Sequence, residues 1–393
     1  MTELNDCPYI MNIIFAYPTE FNPQKGGVER VTDILVRTLL LEGYTIFYLH
    51  WQRKKDEYDY PVPIVDLPSS NLEDPHNIDF YNEFLDQNDI KVVINQHGLY
   101  EGTYFLSQIR NPSIKLISVL HNDPFGYYNH LFADLMTLRN SSNMEKLKRV
   151  ARFFLYERVK RVIRSSLKRH YEFIQEHPQY LCLLSDSFKE PLKQWCKLSD
   201  DYFVTIPNPN TYENIENIPL KERIILFVGR LDNRQKKVNW LIDIWSRTVK
   251  EYAQWRLIIV GDGPDKERLM DKAKGILNIE FVGRQDPRPY YEKASIFCMT
   301  SLFEGFPMCL TEAMQLGCVP IAFDSFAAVH DVIKPGETGE LVKAFNKKEY
   351  VDKLKYLMSN DTYRNTLSKN AFEYVKQYDI SNVLPMWIDL IEK

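Results

Sequence analysis

The chain has 393 residues, a length that predicts two domains at roughly 100–200 residues each. Hydrophobic residues make up 45% and charged residues 26%, which excludes wholesale disorder and fibrous repeats. Lys and Arg total 49 against 53 Asp and Glu, a net charge of −4, so the global basic footprint of a nucleic-acid binder is absent.

The first half alternates short apolar runs with amphipathic stretches. Asn12–Tyr17 reads as a buried strand, Gly26-Gly27 as a turn, and Val28–Leu41 as a helix with apolar residues at helical spacing. Thr45–His50, Lys91–Gln96, Lys115–His121 and Tyr180–Ser185 read as further strands. The second half repeats the rhythm: strands at Ile224–Val228, Arg256–Val260, Ile279–Val282, Ser295–Met299 and Val319–Phe323, helices at Val238–Tyr252 and Pro307–Leu316, and helix throughout Tyr350–Lys393. Strands alternating with helices predict parallel sheets covered on both faces. The Pro- and Asn-rich stretch Ile206–Leu220 reads as a linker. The expected division is residues 1–206 as a first Rossmann-like domain, 207–220 as linker, 221–370 as a second Rossmann-like domain, and 371–393 as a C-terminal helix. Two such α/β domains are expected to face a central cleft, with ligand at the strands' C-terminal edges.

Arg139–Arg169 breaks the alternation. It carries no strand signal and holds 11 Lys/Arg against 2 Glu, a local balance of +9. Val150, Phe153, Phe154, Leu155, Val159, Val162 and Ile163 are interleaved with these cations, and several of them are expected to face the core. A solvated helical face and a docking surface for anionic lipid headgroups or lipid diphosphates both fit the pattern.

Cys7, Cys182, Cys196, Cys298, Cys309 and Cys318 show no C-x-x-C spacing, which predicts buried free thiols in a reducing cytoplasm. The acidic start Met1-Thr2-Glu3-Leu4-Asn5-Asp6 has no apolar stretch of the signal-peptide kind. No run of about 18 apolar residues occurs, so no membrane span is expected.

Nucleotide signatures of the familiar kinds fail. Gly261-Asp262-Gly263 lacks the third glycine of G-x-G-x-x-G, and there is no P-loop, no D-x-D, no metal-ligand cluster and no G-x-S-x-G elbow. Stronger is Glu304-Gly305-Phe306-Pro307-Met308-Cys309-Leu310-Thr311-Glu312. Pro307 suits the first helical position and Gly317 the position after the helix. Backbone N–H groups at Met308 and Cys309 are then free to form an anion site fit for a diphosphate. Glu304 and Glu312 beside it suit sugar and ribose hydroxyls; read by spacing alone, they could equally be a helix-start acid and a surface residue. Arg230 and Lys236 follow strand Ile224–Val228 and could neutralise a phosphate or be solvated. Gly26-Gly27 could admit a ligand to the backbone or make a tight turn. His121 ends a strand, as does His97, and is a candidate site residue or a structural one.

Together these features resemble the retaining glycosyltransferases of family 4, with the GT-B fold. The resemblance runs over most of the chain and is strongest in residues 224–342. Glu304 and Glu312 match the family's E-x7-E, Arg230 and Lys236 its donor-phosphate cations, Gly26-Gly27 its glycine loop, His121 its acceptor-domain histidine, and Asn208 its Pro-Asn turn. Where the family has Lys-Gly, this chain has Lys236-Lys237, so either lysine could reach the phosphate.

The resemblance implies retaining transfer of a sugar from a nucleotide diphosphate sugar, UDP by default, to a glycan or lipid-diphosphate-linked acceptor in bacterial surface-polysaccharide synthesis. It implies no cofactor and no metal. His121 and Glu304 are the expected catalytic residues. Gly26, Gly27, Arg230, Lys236, Gly305, Phe306, Pro307, Met308 and Glu312 are expected to bind the donor. A nucleotide-sugar epimerase and a catalytically inactive glycan- or nucleotide-binding protein are the alternatives. The expected location is cytoplasmic, with contact to anionic membrane through Arg139–Arg169.

Overall fold

The computed structural model describes residues 11–53, 57–98, 101–131, 143–213 and 215–393, with the backbone alone described at 143–150 and 152. The chain forms two compact units: Met1–His121 with Lys168–Thr211 and Ile380–Lys393, and Asn122–Leu167 with Tyr212–Asp379.

In the first unit, strands β1 (Asn12–Ala16), β2 (Thr45–His50), β3 (Ile64–Asp66), β4 (Ile90–Asn95), β5 (Lys115–Leu120), β6 (Tyr180–Leu183) and β7 (Phe203–Thr205) form one sheet in the order β3-β2-β1-β4-β5-β6-β7. Every pairing is parallel. Ile13, Ile14 and Phe15 in successive positions of β1 are all fully buried, as a parallel sheet with both faces covered requires. The Ile380–Glu392 helix belongs to this unit, burying Val383, Leu384, Trp387, Leu390 and Ile391. Tyr44 Oη donates to Glu392 Oε1 at 2.6 Å, and Lys115 Nζ donates to the carbonyls of Leu390 and Ile391 at 2.8 Å.

In the second unit, β8 (Glu222–Val228), β9 (Arg256–Val260), β10 (Ile279–Gly283), β11 (Ala294–Met299), β12 (Val319–Asp324) and β13 (Glu340–Lys343) form an all-parallel sheet in the order β10-β9-β8-β11-β12-β13. Both sheets are doubly wound, with the order reversing at β1/β4 and at β8/β11. In such sheets ligands bind beyond the strand C-termini at the reversal.

The expected strands are all present. Those not anticipated, β3, β7 and β13, are edge strands of three or four residues, too short to display a period. The helix expected over Val238–Tyr252 stops at Ser246, because the bonds of Arg247 to Ile244 and Thr248 to Trp245 tighten the chain to i→i−3 turns. The C-terminal helical stretch is broken at Asn360, whose Oδ1 caps the next helix by accepting from Tyr363 N at 2.9 Å, and again near Asp379.

The basic segment lies largely in one 34-residue helix, Asn143–Glu176; residues 139–142 and the Val150 side chain are outside the described residues. Its apolar residues do not turn to a core as expected. Phe153, Phe154, Leu155 and Val162 are 55%, 78%, 47% and 62% exposed, and Val159 and Ile163 are half-buried. Among the described residues no helix is long and apolar enough to cross a membrane. Cys182, Cys196, Cys298 and Cys318 are buried free thiols, Cys309 is a half-buried one, and Cys7 lies outside the described residues.

Candidate functional site

The sheet reversal in the second unit brings the loops after β8 and β11 side by side. Gly229 opens the first loop, and its N–H donates to Val260 O at 3.1 Å. A Cβ at Gly261 would lie 1.9 Å from Gly229 O, and one at Gly263 would lie 2.7 Å from Leu231 N. The Gly-Asp-Gly sequence therefore serves a close backbone approach between the loops after β8 and β9. Beyond it, Asp232 holds Arg234 at 2.9 Å and Asp265 accepts from Asn233 N at 2.7 Å. Arg230, in the same loop, is exposed.

The loop after β11 is stitched to this one. Leu302 N donates to Gln235 O at 2.8 Å, and Thr300 Oγ1 to Lys236 O at 2.9 Å. Gln235 Nε2 reaches Phe303 O at 3.0 Å and Glu304 Oε2 at 3.3 Å, while Lys236 Nζ reaches Glu304 Oε1 at 2.6 Å. Both oxygens of Glu304 are thus held by neighbours in the β8 loop. Burial works against the charge on Lys236, but the Glu304 carboxylate and other acidic neighbours outweigh it and raise its pKa. Lys237 behaves differently: its backbone is left-handed at φ +48°, and its Nζ lies 5.7 Å from the Trp240 ring centroid. A position that demands positive φ is one that glycine fills most readily, which accounts for the family's glycine there.

Phe303, just before Glu304, is pressed from within the same unit. His130 stacks on its ring at 5.8 Å and 11°, and a Cβ at Gly126 would lie 2.8 Å from it. Gly305, Phe306 and Pro307 are buried, with the Phe306 ring 5.1 Å from that of Tyr378.

The following helix is Met308–Gln315, with Pro307 as N-cap rather than first helical residue. The Met308 amide is not free as expected: it donates to Phe306 O at 3.0 Å in a tight turn. Gly317 follows the helix at φ +74°, as its place in the sequence predicts. Burial pushes the Cys309 thiol up to about 12, and the charges of Lys236, Glu304 and Glu312 all act on it, so the thiol stays protonated and unreactive. Glu312 is only 3% exposed, which removes the surface alternative, and its Oε2 accepts from Tyr291 Oη at 3.1 Å.

In the first unit, Gly26 is the N-cap of the Gly27–Leu41 helix. The Glu29 carboxylate folds back over it, so that a Cβ at Gly26 would lie 2.4 Å from Glu29 Oε2. His121 follows β5, and its Nε2–H donates to Gln96 Oε1. Burial lowers the His121 pKa to about 4, so the ring is neutral with Nδ1 as acceptor. Asn208 is buried in the segment after β7.

The structure thus joins Lys236, Glu304 and Glu312 around the start of one helix and holds Gly26, Gly27 and His121 in the other unit. Sequence reasoning missed Gln235, Gln96 and Tyr291. Gln235 adjoins the matched lysine and could have been suspected; Gln96 and Tyr291 act on residues 25 and 21 positions away, and nothing local marks them.

Residues 209–374 match the sequence model of the family described as "Glycosyl transferases group 1". The chain is 30% identical over 173 residues to a Campylobacter jejuni GalNAc-alpha-(1->4)-GalNAc-alpha-(1->3)-diNAcBac-PP-undecaprenol alpha-1,4-N-acetyl-D-galactosaminyltransferase, covering 44% of this chain and 48% of that one. It is 29% identical over 218 residues to the amylovoran biosynthesis glycosyltransferase AmsD of Erwinia amylovora, covering 53% and 61%. These matches span less than two thirds of either relative. Among solved structures, the lipopolysaccharide outer core galactosyltransferase WaaB aligns over 97% of this chain and 99% of that one, with TM-score 0.68 and 20% identity. The chain has the GT-B fold, and its residues 209–374 are similar to the group 1 glycosyltransferases.

Proposed function

We propose that this protein is a retaining glycosyltransferase that moves a hexose from a nucleotide diphosphate sugar, UDP-linked by default, to a glycan or lipid-diphosphate-linked acceptor of a bacterial surface polysaccharide. The observation that carries this reading is the Lys236–Glu304 pair beside Glu312 at the reversal of the second sheet. The names of the Campylobacter and Erwinia relatives support the acceptor class. No observation favours isomerisation of the donor.

The chemistry breaks the bond between the sugar's C1 and the diphosphate while an acceptor hydroxyl attacks from the same face. The leaving phosphate takes the hydroxyl proton. Charge developing on the diphosphate needs fixed cations, which Arg230 and Lys236 supply without a metal. Glu304, its carboxylate already oriented by Lys236 and Gln235, holds donor-sugar hydroxyls. Glu312 holds the ribose, and the buried Gly305-Phe306-Pro307 turn shapes the floor beneath them. Met308 lines the helix start without offering a free N–H. His121 contributes a hydrogen bond to the sugar through Nδ1, since Nε2 is committed to Gln96. Gly26-Gly27 admits the donor to the backbone. The exposed aromatic and basic residues of the Asn143–Glu176 helix give a reversible contact with anionic lipid at the cytoplasmic face.

A screen of UDP-, GDP- and ADP-sugars for hydrolysis and transfer, with the product's anomeric configuration read by NMR, tests this reading. Retained configuration with activity persisting in EDTA is the expected result. Inversion, or loss on chelation with recovery on adding Mg²⁺ or Mn²⁺, overturns it.

A further inference from the structure

Glu312 is a carboxylate almost wholly enclosed by protein, and a carboxylate's terminal torsion is a broad, weakly restrained one. For such a group to present an oxygen to a ligand in one direction, something rigid must hold it. Tyr291, in the short Arg288–Lys293 helix, is fully buried and donates its hydroxyl to Glu312 Oε2 at 3.1 Å.

The tyrosine is itself fixed at both ends. Its carbonyl accepts from Lys221 Nζ at 2.9 Å and from Cys318 Sγ at 3.1 Å. Its ring lies between Phe297, at 5.8 Å and 45°, and Tyr212, at 6.4 Å and 66°. Tyr212 is held in turn by Gln315, which accepts from Tyr212 N at 3.2 Å and donates to Tyr212 O at 2.7 Å. Gln315 stands on the same helix as Glu312, three positions later. The donor and acceptor of the phenol–carboxylate bond are therefore tied to each other through a second, independent route.

The phenol is also locked in its donor form. Burial and the Glu312 charge push its pKa well above the ordinary value, so the hydroxyl keeps its proton throughout the working pH range. It fixes the carboxylate without neutralising it, which a lysine in the same place would do.

We propose that Tyr291 is the positioning residue for Glu312, orienting the carboxylate toward the ribose diol of the nucleotide. The inference rests on the assignment of Glu312 to the ribose. Its consequence is selective: losing the hydroxyl weakens only ligands that carry the diol.

The test is a cycle between one protein change and one ligand change. Calorimetry on the full chain measures UDP and 2′,3′-dideoxy-UDP binding to the unchanged protein, Tyr291→Phe and Glu312→Gln, with the guanosine or adenosine pair used if UDP does not bind. Tyr291→Phe keeps the ring and its packing; if it is insoluble, Tyr291→Met removes the same hydroxyl at similar apolar volume. The expected result is a loss of roughly tenfold in UDP affinity, the size of one hydrogen bond to a charged group, with dideoxy-UDP changed by less than about twofold. Equal weakening of both nucleotides would mean a general packing role and overturns the proposal. Unchanged UDP affinity in Tyr291→Phe, with Glu312→Gln weakened, overturns it while leaving the ribose assignment standing. If Glu312→Gln fails to discriminate the two nucleotides, or none of the three nucleotides binds, the ribose assignment itself falls.

Discussion

The Lys236 ammonium lies 2.6 Å from Glu304 Oε1, and the two side chains keep only 17% and 9% of their solvent exposure. Cation and carboxylate form one enclosed pair, and removing either strands the other. Lys236→Ala is expected to lower stability by about 3 kcal/mol, because a buried carboxylate loses its partner. Adding Glu304→Gln is expected to restore a large part of that loss. Urea denaturation of the two single variants and the double variant checks this; additive losses would mean that the pair is not coupled in solution.

Lys237 gives the opposite sign. At φ +48° the backbone is in a region that a side chain disfavours, so Lys237→Gly is expected to stabilise by roughly 0.5 kcal/mol or to be neutral. Nucleotide affinity is expected to stay within a few fold in Lys237→Ala and to drop in Lys236→Ala and Arg230→Ala. Equal losses of affinity at 236 and 237 would reverse the assignment of the phosphate-binding lysine.

The two glutamates are expected to separate in kinetics. Glu304→Gln is expected to reduce turnover by on the order of 10²-fold with UDP affinity nearly intact. Glu312→Gln is expected to weaken UDP itself. Titration of UDP into each variant, set beside kcat for transfer, decides the matter, and a swapped pattern would exchange the two roles.

His50 and His170 are both buried in the first unit, and burial lowers each pKa from 6.5 to about 4. The folded state keeps them neutral while the unfolded chain takes up protons below pH 6.5. Stability is therefore expected to fall as pH drops from 6.5 toward 4, by on the order of 2 kcal/mol per histidine at pH 5. Urea midpoints measured at pH 7.5 and pH 5 test the sign, and His50→Gln is expected to flatten the slope. A midpoint that rises on acidification contradicts the burial of these rings.

Anionic vesicles are expected to bind the protein and neutral ones are not, with binding reduced at high salt, since each Lys or Arg near an anionic surface contributes about 1 kcal/mol. Replacing Arg158, Lys160, Arg161 and Arg164 with Gln is expected to weaken vesicle binding and leave UDP affinity unchanged. Phe154→Ser is expected to weaken it further. Equal binding to both vesicle types, or none, returns the Asn143–Glu176 helix to a merely solvated role.

Both sheets were legible in the sequence because a strand buried on both faces is a continuous apolar run, as in Ile13–Phe15 and Ile224–Phe227. Edge strands of three or four residues leave no such trace. Glu304, Lys236 and Glu312 could be singled out as candidates because they stand at strand ends and a helix start, which have local signatures. What holds them could not: Tyr291 reaches Glu312, and Gln96 reaches His121, only because the fold brings separate strands and helices together. The Met308 amide failed as an expected donor because Pro307 sits one position earlier relative to the helix than its residue type suggests, and the resulting turn consumes that N–H. The apolar residues of the basic helix were misjudged for another reason: hydrophobicity alone says what would gain from burial, not whether a partner surface exists.

The Ile380–Glu392 helix completes the first unit although the second unit's chain comes between them. During synthesis, Tyr44 and Lys115 emerge from the ribosome long before the helix they bond to, so the first sheet waits with one flank open while the second unit is made. Nascent-chain folding is then expected to run out of sequence order, with the second unit reaching its final form while the first still needs its last segment. A stop codon placed before residue 380 would damage the first unit, more than 250 residues away from β5 in sequence, and leave the Lys236–Glu304 pair standing.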